Sequence, residues 1–399
     1  MELPRTFMED DSMKKTVKVF SAAMAAALVA GAMTTAVFAE DTWKFGGIGP
    51  LTGGAAIYGN HAMWGAEIAV EEINAAGGIN GVQIEFNAQD DEHDAEKSVN
   101  AYNTLKDWGM QALVGCVTSA PCVAVSSEAA NDNMFVITPS ASSEEVLAAG
   151  DNLFQVCFTD PAQGTASAKY IAEKMDAKKI GVIYNASDVY SKGIYATFRT
   201  EAPAAGLEIV CEQAFTEDSK TDFSAQLQAI KESGAELVFL PFYYEAAATV
   251  FTQAATMEMT PIWFGVDGMD GILDLEGFDT SLVEGVMLLT PFAADATDDA
   301  TVNFVTKFKE AHGDVPNQFA ADGYDCVYAL KAAIEKSGAT PDLSVSELGD
   351  LLKAAFVEIE VPGLTGNMAW TEDGKVSKVP TAVVIQDGAY VAFDNYTAE

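Results

Sequence analysis

Strand and helix patterns alternate along almost the whole chain, and that alternation limits the folds open to it. Residues 43–48 read as a strand, followed by the loop Pro50-Leu51-Thr52-Gly53-Gly54. Residues 61–76 carry Trp64, Ile68, Ala69 and Ile73 at helical spacing and end at Gly77-Gly78, a natural helix stop. Strands follow at 82–86, 112–115, 134–138 and 153–158, with helices at 94–108 and 121–131 between them. A second series has strands at 179–184, 207–210, 237–241, 262–264 and 286–289, interleaved with helices at 192–205, 222–234 and 244–257. Helices at 300–312 and 321–337 come next, then a strand pair at 377–394 split at Asp387-Gly388. Repeated strand–helix–strand units imply parallel sheets with right-handed crossovers. Two series predict an α/β chain with two open lobes. In such lobes ligands sit beyond the carboxyl ends of the strands.

Charge narrows the partners. The 399 residues hold 22 Lys+Arg against 59 Asp+Glu, a formal net charge of −37. Gripping nucleic-acid phosphates needs clustered bases, so nucleic acid is excluded as a partner. Docking on an anionic membrane is excluded on the same ground. The 49% hydrophobic content is enough to build large cores, and the length suits two domains.

The N-terminus reads as an export leader. Met13-Lys14-Lys15 and Lys18 precede an apolar stretch from Val19 to about Ala30, and small residues lead to Val37-Phe38-Ala39. This is the pattern of a secretory signal peptide, and the apolar stretch is shorter than the ~20 residues a membrane span needs. Residues 1–12 read as an upstream extension, and the mature chain is expected to start at Glu40 or Asp41. No Cys lies near that cleavage point, so a soluble exported protein without a lipid-anchor Cys is expected, periplasmic or extracellular. Residues 1–39 carry four bases and four acids, so cleavage leaves the net charge unchanged.

The five cysteines are Cys116, Cys122, Cys157, Cys211 and Cys326. An odd count leaves at least one thiol unpaired in a monomer. A local Cys116–Cys122 bridge and a pair of buried free thiols are both open. His61, His93 and His312 are scattered and read as surface residues, and no Cys/His cluster suggests a metal site.

The strand-end loops are the places to look for function. After Val114 comes Gly115-Cys116-Val117-Thr118-Ser119-Ala120-Pro121, with Ser119 as a candidate cap for the next helix. A helix N-terminus offers free N–H groups to a carboxylate. After Ile137 comes Thr138-Pro139-Ser140-Ala141-Ser142-Ser143-Glu144. Each loop alone also reads as an ordinary cap or turn. In the second series the strand ends carry Tyr190, Tyr243 and Asp267. Aromatic walls with a few polar groups describe a small-molecule pocket, and one carboxylate opposite a helix N-terminus suits a zwitterion. The tyrosines read equally well as packing residues.

Catalytic patterns are missing. The chain has no GxSxG, no phosphate loop ending GK[ST] and no HExxH. Gly77-Gly78-Ile79-Asn80-Gly81 ends a helix instead of opening one, so it is not a dinucleotide loop. No enzyme and no cofactor is expected.

Together these residues resemble a known family. Its motifs are Gly49-Pro50-Leu51-Thr52-Gly53 with Tyr58-Gly59, Gly65-Ala66-Glu67 running to Gly77-Gly78-Ile79, Asp90-Asp91, Ile137-Thr138-Pro139, Gln163-Gly164, Asp222-Phe223-Ser224, Tyr324-Asp325, and Gly363-Leu364-Thr365-Gly366 before Trp370. The chain is similar over about 42–394 to type I periplasmic solute-binding proteins for branched-chain amino acids, which serve ABC importers. The resemblance implies two Rossmann-like lobes joined by three hinge crossings. It assigns 40–160 plus 290–364 to the N-terminal lobe and 161–289 plus 365–399 to the C-terminal lobe.

The resemblance also implies roles. Ser119 would hold the ligand carboxylate through its hydroxyl and N–H. Ser142 would give an N–H there and a hydroxyl to the α-ammonium, and Ser140 a backbone carbonyl to the ammonium. Asp267 would pair with the ammonium from the second lobe. Tyr58, Tyr190 and Tyr243 would surround the ligand, and Phe319 would line its side-chain pocket. The implied partners are a small-molecule amino acid and an ABC permease–ATPase complex, with the carrier a monomer. The sequence departs from the family pattern at several points. His93 and Thr118 stand where the family can carry a disulfide, Asp267 replaces a frequent Glu, and Ser142 replaces a frequent Thr. Relatives also take amides, urea and aromatic acids, and a sensor module presenting ligand to a membrane receptor is the alternative role.

Overall fold

In a computed structural model of the chain, residues 42–378 and 381–393 are described. The expected leader and its cleavage point lie outside them. The first sheet has the order β2-β1-β3-β4-β5 and is parallel throughout. Its strands are β1 (Trp43–Gly49), β2 (Ile84–Asp90), β3 (Ala112–Gly115), β4 (Phe135–Thr138) and β5 (Leu153–Gln155). The second sheet begins with β6 (Lys179–Asn185), β7 (Glu208–Phe215), β8 (Leu237–Leu240), β9 (Ile262–Gly265) and β10 (Met287–Thr290). A hairpin, β11 (Glu360–Gly363) and β12 (Gly366–Ala369), stands apart. β13 (Thr381–Gln386) and β14 (Ala389–Ala392) then complete the second sheet, in the order β14-β13-β10-β9-β8-β6-β7. β13 runs antiparallel to β10, and the other pairs from β10 to β7 are parallel.

Alternation along the short central strands decides which core each residue joins. Ala112 and Val114 of β3 face one core with Phe135 and Ile137 of β4, while Leu113 and Val136 face another. In β8, Leu237 and Phe239 go one way and Val238 and Leu240 the other. Both faces are buried, so these strands read as continuous apolar runs.

The helix Ala56–Ala75 packs on the helix Gln318–Ser337 through glycines. A Cβ on Gly65 would come 1.8 Å from the Ala320 carbonyl oxygen, and one on Gly323 would come 2.0 Å from that of Ala62. This contact accounts for Gly65 in the motif.

The chain enters the second lobe after β5, where the helix Asp160–Lys174 joins the second-lobe core through Ala168 and Ile171. It leaves after β10. The return comes later than residue 365. Met368 and Trp370 pack in the first-lobe core, the Trp370 indole donates to the Gln155 carbonyl at 2.8 Å, and the Gly374 carbonyl accepts from the Gln155 N–H. The second sheet is rejoined only at Thr381.

One expectation about side chains changes, and one open alternative is resolved. His61 is 3% exposed, not on the surface: the close packing of its helix buries it against Trp64 and Phe308, and Asn317 N–H donates to its Nδ1. His93 and His312 are half-buried, the latter stacked on Trp64. All five cysteines are free, and Cys116 and Cys122 share one buried core, so the free-thiol alternative holds.

Candidate functional site: the cleft between the sheets

The order β2-β1-β3 reverses direction at β1, and β7-β6-β8 does so at β6. Crevices form at such switch points. Loops from both lobes meet there.

On the first lobe, β3 ends in a loop that opens the helix Ser119–Asp132. Thr118, not Ser119, holds the cap position, and neither side chain caps the helix. The Thr118 hydroxyl is instead 2.9 Å from His93 Nδ1. The first-turn N–H groups are therefore free of a side-chain cap and keep the positive end of the helix available. The Ser119 N–H lies against the Tyr243 hydroxyl of the other lobe.

The serine-rich loop after β4 is braced against this one. The Thr138 hydroxyl donates to the Cys116 carbonyl and the Ser140 hydroxyl to the Val117 carbonyl, both at 2.6 Å. The Ser119 hydroxyl accepts from the Ser143 N–H at 3.3 Å. Gln155, wholly buried, donates to the Ala141 and Ser143 carbonyls. Cross-bracing of this kind holds donors and acceptors in place before any ligand arrives.

Ser142 points elsewhere. Its hydroxyl donates to Asp160 Oδ1 at 2.6 Å, and the Asp160 N–H returns a bond to the Ser142 carbonyl. Asp160 is 1% exposed, and its Oδ2 has no partner. Burial pushes its carboxyl well above the usual range, the Ser142 bond opposes that, and Asp267 adds repulsion. Asp160 was not among the residues read from the sequence.

The second lobe supplies the facing wall. Asp267 begins a short turn after β9 and is 4% exposed. Its Oδ1 accepts from the Tyr190 hydroxyl at 2.5 Å. Its N–H donates to Gln163 Oε1 at 3.4 Å, and its carbonyl accepts from the Gln318 side-chain amide at 2.7 Å. Burial raises the Asp267 carboxyl to about 6, with the Tyr190 bond opposing the rise. Tyr190 stacks on Tyr243 with ring centroids 4.6 Å apart and planes 2° apart. Tyr58, from the first lobe, touches Tyr243, Tyr244 and Phe319. Its hydroxyl donates to the Gly268 carbonyl and accepts from the Tyr244 N–H, so it ties the lobes together.

Seven of the eight expected residues thus gather around the cleft: Tyr58, Ser119, Ser142, Tyr190, Tyr243, Asp267 and Phe319. Ser140 lies in the same braced loop with its hydroxyl turned away to Val117. Gln163 was noted in sequence only as part of a motif, and its Nε2 is buried without a partner. At the mouth of the cleft a cavity of about 160 Å³ is lined by Tyr58, His93, Tyr243 and the Lys220–Glu245 ion pair. The arrangement presents N–H and hydroxyl donors on one side, carboxylates on the other, and aromatic rings over both.

A family model described as periplasmic binding protein matches residues 42–389. The chain is 29% identical over 363 residues to a leucine-, isoleucine-, valine-, threonine- and alanine-binding protein of Pseudomonas aeruginosa, covering 91% of this chain and 94% of that one. It is 26% identical over 353 residues to the Leu/Ile/Val-binding protein of Escherichia coli K12, covering 88% and 92%. Among solved structures, the branched-chain amino acid transporter substrate binding protein LivJ of Streptococcus pneumoniae, in complex with isoleucine, superposes with a TM-score of 0.80. That match has 27% identity and covers 88% of this chain and 98% of the other.

Proposed function

Because the chain belongs to the periplasmic binding protein family, we propose that it captures an aliphatic amino acid, of the leucine, isoleucine or valine class, between its lobes and delivers it to an ABC importer. The observation that carries this reading is the opposition of two walls. The uncapped start of the helix Ser119–Asp132 faces the second-lobe wall of Asp267, Tyr190 and Tyr243.

In this reading the ligand carboxylate displaces the Tyr243 hydroxyl from the Ser119 N–H and takes the Ser119 hydroxyl as well. The α-ammonium sits between Asp267, the Ser142 hydroxyl and the Ser140 carbonyl. Asp160 reinforces it through Ser142. Phe319 and the tyrosines cover the side chain. Each lobe offers half of the contacts, so ligand favours closure by its differential affinity. Closure excludes water and strengthens the ion pairs. The chain does no chemistry on its solute. It works as an exported monomer, kept apart from other copies by its acidic surface.

A thermal-shift screen across the amino acids, followed by calorimetry on ligand-stripped protein, tests the assignment. Ligand at 100 times its Kd should stabilise the fold by about 2.7 kcal/mol. If no amino acid moves the melting temperature, the solute class is wrong.

A further inference from the structure

Asp267 stands on a very short element. The segment Asp267–Met269 is one turn of 3-10 helix, closed by the Met269 N–H on the Val266 carbonyl and the Asp270 N–H on the Asp267 carbonyl. A single turn of this kind holds its own position weakly, because its hydrogen bonds are few and of poor geometry. Further hold comes from the other lobe.

Gln318 supplies most of it. This residue opens the helix Gln318–Ser337, whose Cys326, Val327, Leu330 and Ile334 pack in the first-lobe core. The Asn317 side chain caps the helix by accepting from the Phe319 and Ala320 N–H groups. The Gln318 N–H is left over from that cap, and it donates to Asp270 Oδ2 at 3.0 Å. The Gln318 side-chain amide donates to the Asp267 carbonyl at 2.7 Å. Tyr58, also from the first lobe, donates to the Gly268 carbonyl between them. Positions 267, 268 and 270 are thus gripped by first-lobe groups, and Gln318 alone grips both ends.

The other atom of the amide is used as well. Gln318 Oε1 accepts from the Thr290 hydroxyl at 3.2 Å. Thr290 ends β10, where the chain leaves the second lobe, and its carbonyl accepts from the Thr381 hydroxyl, where the chain returns. An amide carries a donor on one atom and an acceptor on the other, so it fits between a carbonyl and a hydroxyl. Gln318 is 1% exposed, so water does not stand in for either bond.

We propose that Gln318 is a positioning residue for Asp267: it ties the turn that carries the carboxylate to the first lobe and to the crossings, so that bringing the lobes together aligns the charge. The inference rests on Asp267 as the partner of the ligand ammonium. It adds that the alignment of this second-lobe anion is supplied from the opposite lobe.

Leucine titrations by calorimetry on four versions of the full chain test the role: wild type, Gln318→Met, Asp267→Asn and the double variant. Gln318→Met keeps the side-chain length and removes both polar ends. The Asp267 carbonyl keeps the Asp270 N–H and the Thr290 hydroxyl keeps the Phe292 carbonyl, so the chain should fold. Gln318→Met should weaken leucine about tenfold. In the Asp267→Asn background it should weaken leucine by less than about twofold, because the charge it aligns is gone. A residue that only stabilised the fold would weaken both backgrounds equally. Should Gln318→Met fail to fold, Gln318→Glu, which keeps the acceptor for Thr290 and loses the donor, carries the same comparison. Affinity that falls with Asp267→Asn but not with the Gln318 variant overturns the positioning role, as do equal losses in the two backgrounds. Leucine that ignores Asp267→Asn, or does not bind wild type, overturns the reading of the cleft on which the role rests, and the role with it.

Discussion

The Tyr190 hydroxyl donates to the Asp267 carboxylate at 2.5 Å inside the cleft, while the same ring stacks flat on Tyr243. The pair makes Asp267 a fixed anion, with one oxygen directed by the Tyr190 hydroxyl. A fixed charge costs no reorganisation when a cation arrives, which is what a binding site needs. Asp267→Asn keeps the shape and removes the charge. Leucine affinity measured by calorimetry should then fall by about 100-fold, the range for leaving a buried ammonium unpaired. Unchanged affinity would take Asp267 out of the site.

The pH dependence of the same residue has opposite signs for stability and for binding. Burial lifts the Asp267 carboxyl to about 6 from an ordinary 3.8. Between those values the folded chain holds a proton that the unfolded chain has released. The contribution of this group to the stability of the ligand-free protein is therefore greatest in acid and is lost as pH rises to about 6. The loss amounts to roughly 3 kcal/mol at neutral pH. An ammonium ligand needs the charged form, so affinity should fall as pH drops below about 6. Denaturant melts and titrations of wild type and Asp267→Asn across that window read both trends, and the variant should lack both.

Gly268 guards the geometry of that pair. A Cβ there would come 2.5 Å from the Tyr190 hydroxyl and 2.9 Å from the Tyr243 ring. Gly268→Ala should push Tyr190 off Asp267 and cut ligand affinity by about tenfold or more, the scale of one lost charged hydrogen bond. The fold should survive, because the clash is confined to the cleft wall. Calorimetry beside a melting curve separates the two effects.

How much of this was legible in sequence follows from where the information lay. β3, β4 and β8 were readable because each is a short unbroken apolar run between turn residues. The helix Asp160–Lys174 was not, since its buried face is mostly small or polar, with Gly164, Ser167 and Ala168 beside Ile171. The helix Val345–Phe356 did carry a signal, the Ser344–Glu347 capping box and buried Leu348, Leu352 and Phe356 at helical spacing. In the site, Ser119, Tyr190, Tyr243 and Asp267 stand at strand ends, where topology directs attention. Asp160 stands after a crossing, and only the folded chain brings it to Ser142. Ser119 as a cap was a local inference that the His93–Thr118 contact, a tertiary pairing, displaced.

Thiol chemistry distinguishes the free-cysteine arrangement from a bridged one. Cys116, Cys122, Cys157 and Cys326 are buried, and Cys211 is half-buried on β7. Burial is the main cause that pushes the Cys116, Cys157 and Cys326 thiols up, so little thiolate is present to react. The native protein should release colour from a thiol reagent at Cys211 first, and denaturation should expose all five cysteines. Only three reactive thiols after unfolding would mean that one pair is bridged.

Lys378 and Asp322 form a buried ion pair at the third crossing between the lobes, with side chains 1% and 2% exposed and 3.3 Å apart. The Lys378 ammonium also donates to Thr365, whose hydroxyl donates to Asp325 at 2.5 Å. Even with that base beside it, burial raises Asp322 to about 7. Removing the base strands Asp322 in the interior, where it must either stay charged without a partner or take up a proton; breaking such a pair costs about 3–5 kcal/mol. Lys378→Met should therefore lower the denaturation midpoint sharply. Adding Asp322→Asn removes the stranded acid, so the double variant should recover most of the loss. If the second substitution instead adds to the first, the pair is not coupled, and the crossing is held by packing alone.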